Sequence, residues 1–501
     1  MWTEPLYTAA EMRAAEEAFE GTTLELMERA GAAAAAAALR RFADAERFTV
    51  WCGTGANGGD GFVVTRILHE AGRSVEVVLA GAEEKVKGDA AENLARVKAL
   101  GIRFAETGRS ADVVVDALFG TGFRGAPRAD SARHIEEINS LGAPVLSLDV
   151  PSGIDASTGE VAGPAVEAEV TVTFHGLKVG LAVAPGRFRA GEVEVADIGL
   201  AAGATRHQRV TEEILAAVPR RKQTDNKYTA GSVLVVGGST GFTGAPSLTA
   251  EATLRAGAGI VTVCVPAPSN LVFEVRLLEA MSRPCPADSE GRMTAEAADT
   301  IIEAARRAGA VAIGPGLGRS DGTRELVRIL LDRLEVPVVL DADGLWALAG
   351  HLDWVFSRDA GTVLTPHAGE LGRLLGRTSD WVSAHRLDAV QGGADDVGAT
   401  VLLKGADTLV AAPGRGVLVC DLGNPGLATA GSGDVLTGIV AAFLAKGMKP
   451  TEAAAAAAAA GGVAAGLAAQ SHGTTGMLAR DVVEALSPAL SSSVEPNLSA
   501  D

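Results

Sequence analysis

The sequence predicts two α/β domains in tandem, each built on a largely parallel sheet. Short runs rich in Val, Ile and Leu recur along the chain and alternate with alanine-rich helical stretches. Apolar runs without strict alternation belong to strands covered on both faces, and strand–helix alternation belongs to parallel sheets. A length of 501 residues exceeds one ordinary domain. Hydrophobic content of 47% with 21% charged residues is the composition of a packed globular protein.

In the first part strands are expected at "FTVWCG", "VEVVLAG", "VVVDALFG" and "PVLSLDV". "SVLVVGG", "IVTVCVP", "AVAIGPG", "PVVLDAD", "TVLTPH" and "TVLLKGAD" follow in the second. Between Leu200 and Gly231 the pattern breaks into a loop-like link, the short helix "TEEILAAVPRR" and a polar approach to the next strand. The boundary is therefore expected between Ala217 and Val218, giving domains 1–217 and 218–501. The tail "SPALSSSVEPNLSAD" reads as disordered, and no internal repeat is visible.

A net charge of −18 argues against non-specific binding to nucleic acid or to an anionic membrane. Cys52, Cys264, Cys285 and Cys420 are far apart and form no CxxC pair, as expected of reduced thiols in a cytoplasmic protein. The first residues have neither the basic nor the apolar region of a signal peptide. The run Ala453–Ala468 is rich in alanine and interrupted by glycines, so a tightly packed helix is expected there rather than a membrane span.

Chemistry concentrates where strands end. In "WCGTGANGGDGFVVTRIL" a strand is expected to end at Cys52 and a helix to begin near Asp60, with a glycine loop between them. Such a loop lets backbone approach a phosphate, although glycines also serve tight turns. "DALFGTGFRG" and "LDVPSGIDASTG" are two further strand ends of this kind. Together they deliver Asn57, Asp60, Asp116, Asp149 and Ser152 toward one sheet edge, an oxygen-rich set suited to a hard cation or a polarised hydroxyl. Either Asp116 or Asp149 alone reads equally as a loop cap. Lys178 reads as a surface charge or as a group acting on substrate.

The second part repeats the theme with "GGSTGFTGAP", "GPGLG", "LDADGL", "LTPHAGE" and "LLKGADTLV". Singly, His367 reads as a hydrogen-bonded loop residue, Asp341 and Asp343 as caps or turn formers, and Lys404 as a surface charge. In "NPGLATAGSGDVLTG" a glycine-rich stretch runs into an apolar helix, and Asp434 stands near that helix's start. Free N–H groups there make an anion site. A carboxylate beside it reads as a helix-start residue stabilising the dipole or as a base acting on a hydroxyl that attacks a phosphoryl group.

These stretches match known families. "GANGGDG", "DALFGTGFRG", "LDVPSGIDA" and "TFHGLKVGL", with "TAAEMRAAEEAF" and "LMERAG" before them, resemble the landmarks of NAD(P)H-hydrate epimerases. The resemblance implies a Rossmann-like domain that binds hydrated NADH or NADPH. It implies potassium held by Asn57, Asp116 and Ser152. The substrate would be held by Ala56, Asn57, Gly58, Gly59 and Asp60, by Gly120, Thr121, Gly122, Phe123, Arg124, Gly125 and Ala126, and by Asp149. Asp149 would be catalytic, and Lys178 would neutralise a substrate phosphate or assist proton transfer. Ala56 stands where that family usually has a first asparagine.

From about residue 225 to 490 the chain resembles the ribokinase-like superfamily, and within it the ADP- or ATP-dependent NAD(P)H-hydrate dehydratases. Leu427, Ala430 and Ser432 replace the usual Met, Gly and Thr, changes that keep the backbone donors. The resemblance implies nucleotide contacts from Lys404, Gly405, Ala406, Asp407, Thr408 and Gly433. Gly431, Ser432 and Gly433 would form an anion hole. Ala245, Gly316, His367 and Asp434 would contact substrate, with Asp434 catalytic, Mg2+ as cofactor and ADP (or ATP) as co-substrate.

The whole chain thus resembles two halves of one repair system. One half would interconvert the R and S hydrates, and the other would phosphorylate the hydroxyl of the S form and eliminate phosphate. A homo-oligomer is expected. A vitamin-precursor or sugar kinase fused to a non-catalytic binding module is the alternative. The presence of Asn57, Asp116 and Asp149 speaks against a dead first half.

Overall fold

The computed structural model describes residues 2–108 and 111–492. The chain divides into two compact units, one formed by residues 5–207 with 384–386, the other by residues 1–4, 208–383 and 387–501. The division falls at His207 rather than at Ala217. The reason is that the strand His207–Val210 pairs in parallel with Leu418–Cys420, and Ile214, Leu215 and Val218 are buried in the second unit's core.

All ten expected strands form. In the first unit Arg47–Cys52, Ser74–Leu79, Val113–Ala117 and Val145–Leu148 are joined by Arg103–Ala105, Val170–Phe174 and Glu192–Ala196 in one seven-stranded sheet. Every pairing in it is parallel. The chain winds outward from Arg47–Cys52 in one direction, then returns to start again at Val113–Ala117 on its other side. Between those two strands the winding reverses, and their carboxyl ends leave a crevice, the usual ligand position in such sheets. Phe48, Val50, Trp51 and Val113–Val115 are buried, which is why these strands carry apolar residues on both faces.

The second unit's sheet has eleven strands. Its parallel part winds in the same manner, outward from Ser232–Val236 through Ile260–Pro266 to Met281–Cys285, then again from Ala310–Ile313 through Val338–Leu340 and Thr362–Leu364 to Thr400–Leu403. The antiparallel pair Thr408–Ala411 and Leu418–Cys420 extends it. So the two sheets share a winding order that no internal repeat in the sequence announces.

The alanine-rich helix runs from Pro450 to His472, with proline at its first turn and Gly473 (φ 67°) after its last. It is long and apolar enough to cross a membrane by length and composition, yet Ala453–Ala457, Ala459, Ala460, Ala464 and Ala465 are wholly buried in the second unit's core. The tail departs from expectation up to Ser492. The helix Ala479–Ser492 takes in its first part because Val482, Val483, Leu486 and Ala489 dock into that core. The rest of the expected disordered tail, 493–501, lies outside the described residues.

Candidate active sites

The first unit's crevice is a cleft of ≈ 770 Å3 at the winding reversal. Its helix begins at Ala56, four residues earlier than expected, and runs to Glu70. Gly58, Gly59 and Gly61, expected in the loop, therefore sit in the helix's first turns. A Cβ on Gly58 would stand 1.9 Å from the carbonyl oxygen of Gly53, so close packing of helix on strand end, not loop freedom, demands glycine there. This start turns Asn57 and Asp60, one helical turn apart, toward the cleft. Asn57, Gly120, Thr121, Arg124, Ala126 and Asp149 line it as well, whereas Gly58, Gly59 and Gly125 are not among its lining residues.

Asp149 adopts a positive φ of 66°, an uncommon conformation for a non-glycine residue and a mark of functional sites. Its Oδ2 accepts from Thr121 N at 3.1 Å, and its Oδ1 accepts from Thr173 Oγ1 at 3.4 Å. Lys178 is fully buried and its Nζ lies 2.8 Å from Asp149 Oδ1. The surface-charge reading of Lys178 is thereby excluded: a lysine this deep requires a counter-ion.

Asp116 is also fully buried. It accepts hydrogen bonds from Ser147 Oγ (2.9 Å), Ser152 Oγ (2.6 Å), Ser152 N (2.8 Å) and Leu118 N (3.2 Å). Burial pushes its carboxyl up, and these four donors pull against that rise. Asn57 is buried, and its Oδ1 would stand 3.4 Å from a Cβ placed on Gly120. Asn57, Asp116 and Ser152 thus offer an amide oxygen, a carboxylate and a hydroxyl behind the same loops. The set is all oxygen with one formal negative charge, and it fits a hard monovalent cation.

In the second unit Asp434 lies in the first turn of the helix Ser432–Ala445. Gly431 precedes that turn with φ 90°, a conformation that favours glycine. The helix is held against Gly244–Arg255 by Thr249 Oγ1, which donates to Asp434 O at 3.1 Å, and by Thr253 Oγ1, which donates to Gly438 O at 3.1 Å. Burial first, and then the charge of Asp341, push the Asp434 carboxyl up from its ordinary 3.8 to about 7, while Lys404 opposes them.

Lys404, expected as a nucleotide contact or a surface charge, has its Nζ 2.8 Å from Asp341 Oδ1 and 3.9 Å from Glu370 Oε2. A Cβ on Gly433 would lie 3.3 Å from that Nζ, so the ammonium stands beside the helix start. Thr437 Oγ1 donates to Asp341 Oδ2 at 2.8 Å. Ala342 next to it is strained, with φ 48°. Asp343 does serve as a loop tie, accepting from Gly318 N at 2.9 Å and Arg319 Nε at 2.7 Å.

His367 caps the helix Ala368–Leu375. Its Nδ1 accepts from the N–H groups of Gly369 and Glu370, and its side chain is 60% exposed, with the outer nitrogen Nε2 3.5 Å from Glu370 Oε1. Ala245 and Gly316 meet, since a Cβ on Gly316 would lie 3.5 Å from Ala245 Cβ. Gly405 O accepts from Thr408 Oγ1 across a tight turn, and Asp407 within it is buried. The expectation missed Glu16 on the first cleft and the Asp341–Thr437 link in the second unit. "LDADGL" after an apolar strand was the one available signal for Asp341.

Two doubly wound units, each gathering carboxylates and glycine-built backbone at the carboxyl ends of its strands, define a bifunctional enzyme acting on nucleotide-like substrates. Residues 233–488 match the sequence profile described as NAD(P)H-hydrate dehydratase, and residues 23–180 match that of the YjeF-related protein N-terminus. The bifunctional NAD(P)H-hydrate repair enzyme Nnr of Moorella thermoacetica is 40% identical over 96% of this chain and 96% of its own length. The protein of the same name from Escherichia coli is 36% identical over 93% of this chain and 89% of its own. A solved ADP/ATP-dependent NAD(P)H-hydrate dehydratase from Bacillus subtilis, co-crystallised with ATP/Mg2+, is 27% identical, covers 56% of this chain and 97% of its own, and has a TM-score of 0.49. The chain belongs to the bifunctional NAD(P)H-hydrate repair enzymes: it is an epimerase and a dehydratase of hydrated NADH or NADPH in one polypeptide.

Proposed function

We propose that the first unit's cleft is the epimerase site and that the helix start carrying Asp434 is the dehydratase site. The observation that carries this division of labour is the contrast between the two carboxylates. Asp149 is tied to a buried lysine, and Asp434 is half-buried beside a glycine-built helix start with its pKa near neutrality. A carboxylate poised near the working pH suits a general base. Asp434 would take the proton of the substrate hydroxyl as the O–P bond forms. The N–H groups of Gly431, Ser432 and Gly433 would hold phosphoryl oxygens, with the Lys404 ammonium beside them. Elimination of phosphate then restores the reduced ring.

ADP is the expected phosphoryl donor in preference to ATP. Mg2+ would enter with the nucleotide and offset the charge of its phosphates. No group of three or more His, Cys, Asp or Glu is preassembled for a metal among the described residues, which suits an ion that keeps waters and phosphate oxygens. Potassium would be held by Asn57, Asp116 and Ser152 and would supply a fixed positive charge beneath the substrate-binding loops. A cytoplasmic location and a homo-oligomer complete the proposal. The test is direct: the purified chain is given hydrated NADH with ADP or with ATP. Complete conversion of both epimers to NADH, faster with ADP, is expected. Conversion of the S form alone would refute the epimerase assignment, and faster conversion with ATP would refute the donor assignment.

A further inference from the structure

The cleft of the first unit holds another carboxyl, that of Asp60. Asp60 faces the cavity from the helix Ala56–Glu70, and Asp149 faces the same cavity from the strand end after Leu148. Their surroundings are opposite. Asp149 is anchored by Lys178, Thr121 and Thr173. Asp60 has no hydrogen-bond or ion-pair partner among the described residues and is only partly reached by solvent. Two further carboxyls stand on the cavity wall: Glu16 is exposed, and Asp89 accepts a hydrogen bond from Thr23 Oγ1.

We propose that Asp60 is a second catalytic residue of the epimerase, the proton donor that works opposite Asp149. This rests on the reading that places the epimerase site in this cleft. The chemistry asks for such a pair. Water adding to the enamine double bond of a reduced nicotinamide ring puts its hydroxyl on the carbon next to the ring nitrogen, which makes a hemiaminal. A hemiaminal inverts by opening. Asp149 accepts the hydroxyl proton, and the carbon–oxygen bond becomes an aldehyde C=O. The carbon–nitrogen bond breaks, its electron pair goes to the ring nitrogen, and Asp60 protonates that nitrogen.

Rotation about the adjacent carbon–carbon bond presents the other face of the aldehyde. Closure then reverses every transfer. The nitrogen attacks the carbonyl carbon and returns its proton to Asp60, while the new alkoxide takes the proton from Asp149. No atom is gained or lost and no redox partner is needed.

Two carboxyls whose environments differ this much are the arrangement that divides acid from base. Burial drives Asp60 well above the ordinary carboxylate range, and the facing charges of Asp149 and Glu16 drive it further. That direction favours the protonated form, the one ring opening requires. Desolvation of a carboxyl with no partner is a cost the fold bears, and a role on the substrate accounts for it.

The experiment uses the full-length chain and the purified R hydrate of NADH. Asp60→Asn is expected to lower kcat for R-to-S conversion by ~10²-fold or more, the range for loss of a general acid, with KM changed less than threefold. Asp60→Glu should recover part of that loss, and thermal melting of both variants reports whether they fold. A single turnover of the wild-type chain is then run in water enriched in heavy oxygen. Ring opening keeps the original hydroxyl oxygen, so the S product should carry the light isotope. Full incorporation of heavy oxygen would mean that water leaves and re-adds, and would overturn the proposal. A raised KM with unchanged kcat in folded Asp60→Asn would overturn it too, reducing Asp60 to a binding contact. If Asp149→Ala abolishes turnover while Asp60→Asn retains it, this proposal falls and the site reading stands.

Discussion

Replacing Asp434 with asparagine separates two accounts of the same residue by the sign of a stability change. If Asp434 served only the helix N-terminus, its loss would destabilise the second unit by roughly 0.3–1 kcal/mol. The structure argues the reverse. Burial and the neighbouring Asp341 raise its pKa from 3.8 to about 7 in the folded chain. A raised acid favours folding while it is protonated, so its advantage is fully present below about pH 4 and is lost as pH rises toward 7. Above pH 7 the folded state carries an ionised, half-buried carboxylate, and the difference from the unfolded chain amounts to about 4 kcal/mol at most. Asparagine fills the same space without that charge. Asp434→Asn should therefore match the wild type near pH 4 and exceed it increasingly up to pH 7–8, by about 2–4 kcal/mol.

Dehydration of the S hydrate should meanwhile fall by at least ~10²-fold, the scale of a lost general base. In the wild type, kcat/KM for dehydration should rise with pH to a plateau above about 7. Thermal melting of the second unit across pH, together with steady-state dehydration on the same samples, checks both halves of the prediction. A variant less stable than wild type at pH 8, or one that turns over within a few-fold of it, would refute the reasoning.

Asp149→Ala should abolish epimerisation and leave dehydration of purified S hydrate near the wild-type rate; parallel loss of both activities in a folded variant would contradict the assignment. That substitution also strands the fully buried Lys178 ammonium without its carboxylate, so a stability loss of about 3–5 kcal/mol in the first unit is expected by calorimetry. A fragment spanning 5–207 should fold and epimerise hydrated NADH, whereas extension to Ala217 should add exposed apolar surface from Ile214 and Leu215 and lower solubility. Far-UV circular dichroism and the epimerisation assay decide this; a soluble, folded but inactive 5–207 fragment would count against it.

What the sequence determined by itself was everything carried by short-range pattern. Apolar runs such as Val113–Val115 and Val233–Val236 pointed to doubly covered strands, because no polar residue interrupts them to face water. The glycine stretch before Asp434 marked a helix start with free N–H groups, which is where Gly431 and Ser432 stand. Asn57, Asp116, Asp149 and Ser152 were each visible as residues just after strands or in the glycine stretches that follow them.

The tertiary structure alone decided how charges are matched and how deeply they lie. Nothing near position 178 in the chain distinguishes a surface lysine from one buried against Asp149, and nothing near 404 announces Asp341 or, beyond it, Thr437. The same holds for Asp60, whose carboxyl is pushed up by desolvation and by facing carboxylates. The boundary moved to His207 because a strand needs a partner, and Leu418–Cys420, some two hundred residues away, supplies it. Sequence pattern reflects local propensity and the period of burial. A pKa or an ion pair depends on distance and dielectric, and these exist only once the chain has closed on itself.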